Sequence, residues 1–131
     1  MACTVEFQKG DRVVSLVCHL PEIMPGTEAE IYSGRIGDLY AVQLPNGELH
    51  RWFAAFELQP CRGSGLCPGS FARVLTADGH GPHIMPGMVV KIVKAFCDID
   101  FYDAIVHGEY HRWFVGFEIV PYEVTCKRPE L

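Results

Sequence analysis

His50-Arg51-Trp52-Phe53 and His111-Arg112-Trp113-Phe114 are the same four residues, 61 positions apart. Ile23-Met24-Pro25-Gly26 and Ile84-Met85-Pro86-Gly87 repeat at the same spacing, as do Gly47-Glu48 with Gly108-Glu109 and Phe56-Glu57 with Phe117-Glu118. Single matches at this offset include Arg12/Arg73, Val13/Val74, His19/His80, Ile31/Ile92 and Pro60/Pro121. Two four-residue blocks, one of them containing Trp, do not fall at one offset by accident. The chain is read as an internal duplication aligned without a gap. The expected organisation is a first module over 1–60, a linker over 61–67 and a second module over 68–131. Each copy is expected to close its own small core, with 7–60 and 68–121 superposing.

The surroundings of these blocks read as strands. Arg12 to Val17 is β-branched and apolar and follows Lys9-Gly10-Asp11. Met24-Pro25-Gly26 has Pro and Gly in the order a type II turn requires. Glu28 to Tyr32 alternates polar and apolar residues, and Gly34 to Asp38 has the composition of a loop. Leu39 to Leu44 and Glu48 to Phe53 flank Asn46-Gly47, the preferred dipeptide of a tight hairpin. Ala54 to Glu57 fits one helical turn, and a short strand is expected near Leu58. Copy two repeats the layout with strands at Ala72 to Thr76, Met88 to Ala95, Phe101 to Val106 and Glu109 to Phe114. Nothing sustains a helical period. The fold class is all-β: five short strands per copy over about 55 residues, the size of a partly open barrel.

These motifs resemble the small bacterial SH3-like barrels. Lys9-Gly10-Asp11-Arg12-Val13 and Phe56-Glu57-Leu58 carry the likeness in copy one, and Phe117-Glu118-Ile119 in copy two. Copy two departs at its start, where Ser70-Phe71-Ala72 stands for Lys9-Gly10-Asp11. The likeness spans residues 7 to 121 and implies two tandem SH3-like modules. That group includes accessory subunits of redox complexes and of metal enzymes, so the resemblance implies an accessory or adaptor role without naming one activity.

Composition narrows the function. Of the 131 residues 49% are hydrophobic, enough for a packed core. The net charge is −5. Residues 1–63 hold 5 basic and 8 acidic residues and 64–131 hold 6 and 8, giving −3 and −2. Neither half is a basic surface for a phosphate backbone, so nucleic acid is not an expected partner. No apolar run approaches the ~20 residues that span a bilayer, and the start has no signal-peptide pattern. A cytoplasmic setting is expected, with the six cysteines reduced and no disulfide needed for the fold.

Two stretches stand out as candidate partner-binding elements. Strand alternation sends Glu48, His50 and Trp52 to one side of their strand and Leu49, Arg51 and Phe53 to the other. The same holds for Glu109, His111 and Trp113. If the Phe residues fill the core, the Trp/His/Glu face is an aromatic contact surface, joined by Met24 and Met85 of the Met-Pro-Gly turns. If the Trp residues fill the core instead, that surface loses its anchor. For metal, His80 and His83 form the best local pair. Cys18-His19, Cys61 with Cys67, Cys97-Asp98 and His107 with His111 lack the spacing of a closed site. No nucleophile motif, phosphate loop or dinucleotide fingerprint occurs, and Asp98, Asp100 and Asp103 read as a solvated loop. The expectation is a non-enzymatic protein-binding accessory module without a cofactor. The alternative is a zinc- or nickel-binding accessory protein.

Overall fold

The computed structural model describes residues 5–19, 23–61, 65–81 and 83–122. It is all-β. Eight strands run in chain order: β1 Arg12–Ser15, β2 Glu28–Gln43, β3 Leu49–Ala54, β4 Leu58–Pro60, β5 Phe71–Val74, β6 Val89–Val106, β7 Glu109–Val115 and β8 Ile119–Pro121. Single 3-10 turns, Ala55–Glu57 and Gly116–Glu118, join β3 to β4 and β7 to β8. Hydrogen bonding orders the strands β4-β5-β6-β2-β1-β8 in one sheet, with β3 on β2 and β7 on β6. No described helix is long and apolar enough to cross a membrane.

The expected loops within each copy are strand. Gly34 to Asp38 lies inside β2, and the segment between Ala95 and Phe101 lies inside β6. Among the described residues each copy therefore has four strands rather than five. Gly34, one of the residues that suggest a loop, has another cause. A Cβ on Gly34 would meet the Tyr102 ring at 2.6 Å. The glycine permits close approach by an aromatic ring. Asp98, Asp100 and Asp103 are strand residues too, and Asp103 is buried.

The Met-Pro-Gly segments form the expected turns. Thr27 N–H donates to the Met24 carbonyl at 3.0 Å and Met88 N–H to that of Met85 at 3.1 Å. Gly26 and Gly87 sit at φ +94° and +92°, where a type II turn requires freedom from a Cβ.

Packing divides the chain differently from the repeat. One compact unit consists of Met1–Ile36 with Asp100–Leu131, the other of Gly37–Ile99. The strands β2 and β6 each contribute one end to each unit. The first unit's core joins Phe7, Val13, Ile23, Ala29 and Ile31 of copy one to Tyr102, Ala104, Val106, Phe114 and Ile119 of copy two. The second unit's core joins Tyr40, Val42, Leu44, Phe53 and Leu58 of copy one to Ala72, Val74, Ile84, Val90 and Ile92 of copy two. The expectation that each copy closes around its own core is thus corrected: each core takes half its residues from each copy. The physical cause is the length of β2 and β6, 16 and 18 residues. At ~3.3 Å per residue, each strand outruns a single small core.

Pairing register also corrects the gapless alignment. Gly10 N–H donates to Ile31 O, and Gly69 N–H donates to Ile92 O, so Gly10 corresponds to Gly69, 59 positions on. Arg12 opposite Glu30 corresponds to Phe71 opposite Lys91. In the hairpins Tyr40 faces Phe53 and Tyr102 faces Phe114, so Tyr40 corresponds to Tyr102, 62 positions on. Gly69-Ser70, not Ser70-Phe71-Ala72, is therefore the counterpart of Gly10-Asp11. Asp103 stands opposite Arg112 as Ala41 stands opposite Arg51, so the counterpart of Asp103 is Ala41 and not Val42.

Candidate functional site

The Trp/His/Glu face does not exist as one surface. Trp52 and Trp113 are buried, with 3% and 2% of their surface accessible. Phe53 and Phe114, the next residues, are buried as well. Alternation fails because each return strand has a bulge. Tyr40 faces Phe53 while Ala41 faces Arg51, leaving Trp52 as the extra residue, and the same shift at Tyr102/Asp103 leaves Trp113. The bulge turns two consecutive aromatic residues inward. Trp52 packs on Phe96 at 5.3 Å between ring centroids, and Trp113 on Phe101 edge-to-face at 4.9 Å.

The remaining members scatter by depth. Glu48 and Glu109 are exposed. Glu48 caps the hairpin, its N–H donating to Asn46 Oδ1 at 2.9 Å. His50 is half-buried, with its ring 5.3 Å from Phe53 and its Nε2 3.4 Å from His80 Nδ1. His111 is half-buried with Nε2 4.0 Å from Glu109 Oε1. Met24 and Met85 are exposed on their turns.

His80 is not a surface ligand paired with His83. Its ring is buried, stacked on Phe53 at 4.2 Å, and its Nε2 lies 2.9 Å from Glu57 Oε2. His83 is exposed. Glu22, which takes the place of His83 in copy one, lies outside the described residues, as do Arg62–Ser64 of the linker. Among the described residues no group of three or more His, Cys, Asp and Glu is disposed to hold a metal. Cys18, Cys61, Cys67 and Cys97 are exposed free thiols.

What the structure brings together is a pair of matching turns. In the first unit Glu118, on the turn before β8, accepts Val115 N–H at 2.9 Å and lies 3.2 Å from His19 Nε2. In the second unit Glu57, on the turn before β4, accepts Ala54 N–H at 2.9 Å and pairs with His80. Both carboxylates are buried. A buried carboxylate must be hydrogen-bonded to be tolerated, and these are held by a turn amide and an imidazole. Each turn's backbone is also tied to the end of a first strand: Leu16 N–H donates to Glu118 O at 2.7 Å and Leu75 N–H to Glu57 O at 2.8 Å.

Apolar side chains stand on the solvent side of each turn. Phe117 is 62% exposed and Phe56 48%. Leu16 and Leu75, bonded to those turns through their amides, are likewise about half-exposed. The Met-Pro-Gly turns join the same strand ends, Gly26 N–H donating to Ser15 O and Gly87 N–H to Val74 O, both at 2.7 Å. Each unit therefore presents one Leu, one Met and one Phe from equivalent positions. Phe56, Phe117, Leu16 and Leu75 are absent from the sequence-derived site. The repeated Phe-Glu pair is visible in the sequence, but it marks the buried Glu as readily as the exposed Phe. Two depressions of about 480 Å³ each in the first unit, both bordered by Arg12, contain none of these residues.

No protein-family model matches the chain, and no curated protein matches it. Solved structures do. A DUF1541 family protein, ydhK of Bacillus subtilis, is similar with a TM-score of 0.69 and 21% identity, over 92% of this chain and 87% of that one. A second crystal structure of the ydhK protein gives a TM-score of 0.64 and 22% identity over 87% and 99% of the two chains. The solution structure of the ydhK C-terminal domain gives 0.64 and 21% over 88% and 94%. At these identities the likeness is one of fold: the chain has the all-β architecture of these bacterial proteins.

Proposed function

We propose that this chain is a non-enzymatic binding module that docks a protein partner through its two Leu/Met/Phe surfaces. The observation that carries this reading is the duplication. Leu16, Met24 and Phe117 in one unit and Leu75, Met85 and Phe56 in the other are exposed at equivalent positions. Scattered exposed apolar residues are ordinary. The same three residue types, kept outside twice by matched backbone ties, favour a contact surface. Met and Phe suit such a surface, one adaptable and the other rigid. The likeness of the motifs to SH3-like barrels, a group of accessory subunits, supports a role in assembling or regulating a bacterial redox or metal-dependent complex in the cytoplasm. The buried Glu57 and Glu118 support a scaffold role, since each accepts a turn amide and meets an imidazole.

The test compares tagged wild-type chain with a Phe56→Ser/Phe117→Ser double variant, after chemical crosslinking in the native cell. A protein captured by wild type, lost with the double variant and retained by an Arg73→Ala control is the expected result. Equal capture by the double variant, with unchanged circular dichroism, rules out the two surfaces as the docking site.

A further inference from the structure

We propose that His50 and His80 of the second unit together bind a divalent transition-metal ion, with zinc the ion that their spacing fits. The inference is independent of what the apolar surfaces bind. It rests on one buried imidazole and on what lies at each of its two ring nitrogens.

His80 is held in place by backbone, ring and carboxylate. Its N–H donates to Ala77 O at 3.0 Å, and its ring stacks on Phe53 at 4.2 Å between centroids, with the planes 23° apart. Its side chain is fully buried, as is that of Glu57. Glu57 Oε2 lies 2.9 Å from His80 Nε2, and Glu57 Oε1 accepts the Ala54 amide at 2.9 Å. An ionised carboxylate only accepts, so it fixes the tautomer with the proton on Nε2. In the neutral ring the lone pair then sits on Nδ1. This is the arrangement by which a carboxylate orients a metal-binding histidine.

His50 faces that lone pair. It stands on β3 opposite Val42 of β2, and its Nε2 lies 3.4 Å from His80 Nδ1. The distance is long for a hydrogen bond, for which ~2.7–3.2 Å is usual. Two nitrogens on one tetrahedral zinc, each at ~2.0–2.1 Å, stand about 3.3–3.4 Å apart. Phe53 lies against both rings, its centroid 5.3 Å from that of His50. The two nitrogens are thus held at the spacing of one ion's ligands. The first unit shows what the carboxylate–imidazole couple itself does. Glu118 accepts a turn amide and meets His19 at 3.2 Å in the same manner. Holding the turn takes one carboxylate and one imidazole, so a second imidazole at His80 Nδ1 is surplus to that task. Among the described residues no third His, Cys, Asp or Glu joins the pair. His50 is half-buried, and water fills the ion's other positions, giving an exchangeable site rather than a closed structural one.

The experiment titrates zinc chloride into the full-length reduced chain with nitrogen-15 in its histidines and follows the imidazole nitrogens by long-range nuclear magnetic resonance. The His50 Nε2 and His80 Nδ1 signals should shift together and saturate at one ion per chain, while those of the exposed His83 stay in place. His50→Ala should abolish the shift at His80 Nδ1, and His83→Ala should leave it unchanged. No shift at the two nitrogens in the presence of excess zinc overturns the proposal, whatever the exposed thiols take up. An unchanged zinc response of His80 in a His50→Ala chain of native circular dichroism overturns it as well. Should that variant fail to fold, the wild-type spectra alone decide, since they read the two coordinating nitrogens directly.

Discussion

Trp52 and Trp113 measure how far strand alternation can be trusted. A bulge is a one-residue event with no residue type of its own, and it moves the most conspicuous side chain of the motif from solvent to core. The sequence marks Arg-Trp-Phe as important in both copies, and burial of Trp together with Phe explains why both are kept. Each Trp→Ala substitution should therefore cost ~3–5 kcal/mol, as for large buried side chains. Phe117→Ala, at an exposed position, should stay within ~0.5 kcal/mol. Urea unfolding of the three variants checks the contrast, and a Trp variant as stable as the Phe variant would contradict the burial. The carboxylates order in the same way. Glu57→Ala removes the partner of the buried His80 ring and the acceptor of the Ala54 amide and should cost ~1–3 kcal/mol. Arg12→Ala breaks the exposed pair with Glu28 and the contact of its guanidinium with the Tyr122 ring and should cost at most ~2 kcal/mol.

The tyrosines add a prediction in pH. Burial, followed by the hydrogen bond to Asp100, pushes the Tyr102 hydroxyl up to about 12. Burial and Asp103 do the same for Tyr110, and burial followed by Asp38 raises Tyr40. A group that keeps its proton longer when folded than its usual value of 10.0 contributes stability that is complete below that value. The contribution is lost as pH rises towards about 12. Ultraviolet titration should show these phenols ionising late, together with loss of the fold. Ionisation of all five tyrosines near their ordinary value in a still-folded chain would contradict it.

Strands β2 and β6 show which parts of an element a sequence reveals. Their ends were legible, since Glu28 to Tyr32 and Leu39 to Leu44 carry clear patterns. Their middles were not, because glycine has two meanings, a turn or a close approach, and only the partner decides between them. Gly34 is the second case, with the Tyr102 ring in the place of its missing side chain. Gly116 is another, with the Asp100 carboxylate where a Cβ would stand. Its counterpart in the other unit is Ala55, so the turn itself accepts alanine. Gly116→Ala should therefore destabilise by ~1–3 kcal/mol through overpacking. Adding Asp100→Ala should recover a good part of the loss. Thermal melts of the single and double variants test this, and a double variant no better than Gly116→Ala would place the strain elsewhere.

The duplication was plain in the sequence, but its consequence for assembly was not. Counterpart residues are chemically alike, Ile31 with Ile92, Phe53 with Phe114, Leu58 with Ile119. A core built from one copy and a core built from two halves of different copies have nearly the same composition. Patterning cannot separate them. Only the unbroken run of β2 and β6 through the two units does so, and that run hides behind the misleading glycines. The interleaving makes a direct prediction about fragments. Residues 68–131 alone keep β5 to β8 but lack Phe7, Val13, Ile23, Ala29 and Ile31 of one core and Tyr40, Val42, Leu44, Phe53 and Leu58 of the other. Half of each core is removed, and small domains have little stability to spare. At low concentration the isolated half should show neither a cooperative melt nor near-ultraviolet circular dichroism from its Trp. Adding residues 1–60 should restore both with one-to-one stoichiometry, because the missing half of each core lies on the added fragment. A monomeric 68–131 fragment that melts cooperatively by itself would mean that each copy closes its own core after all.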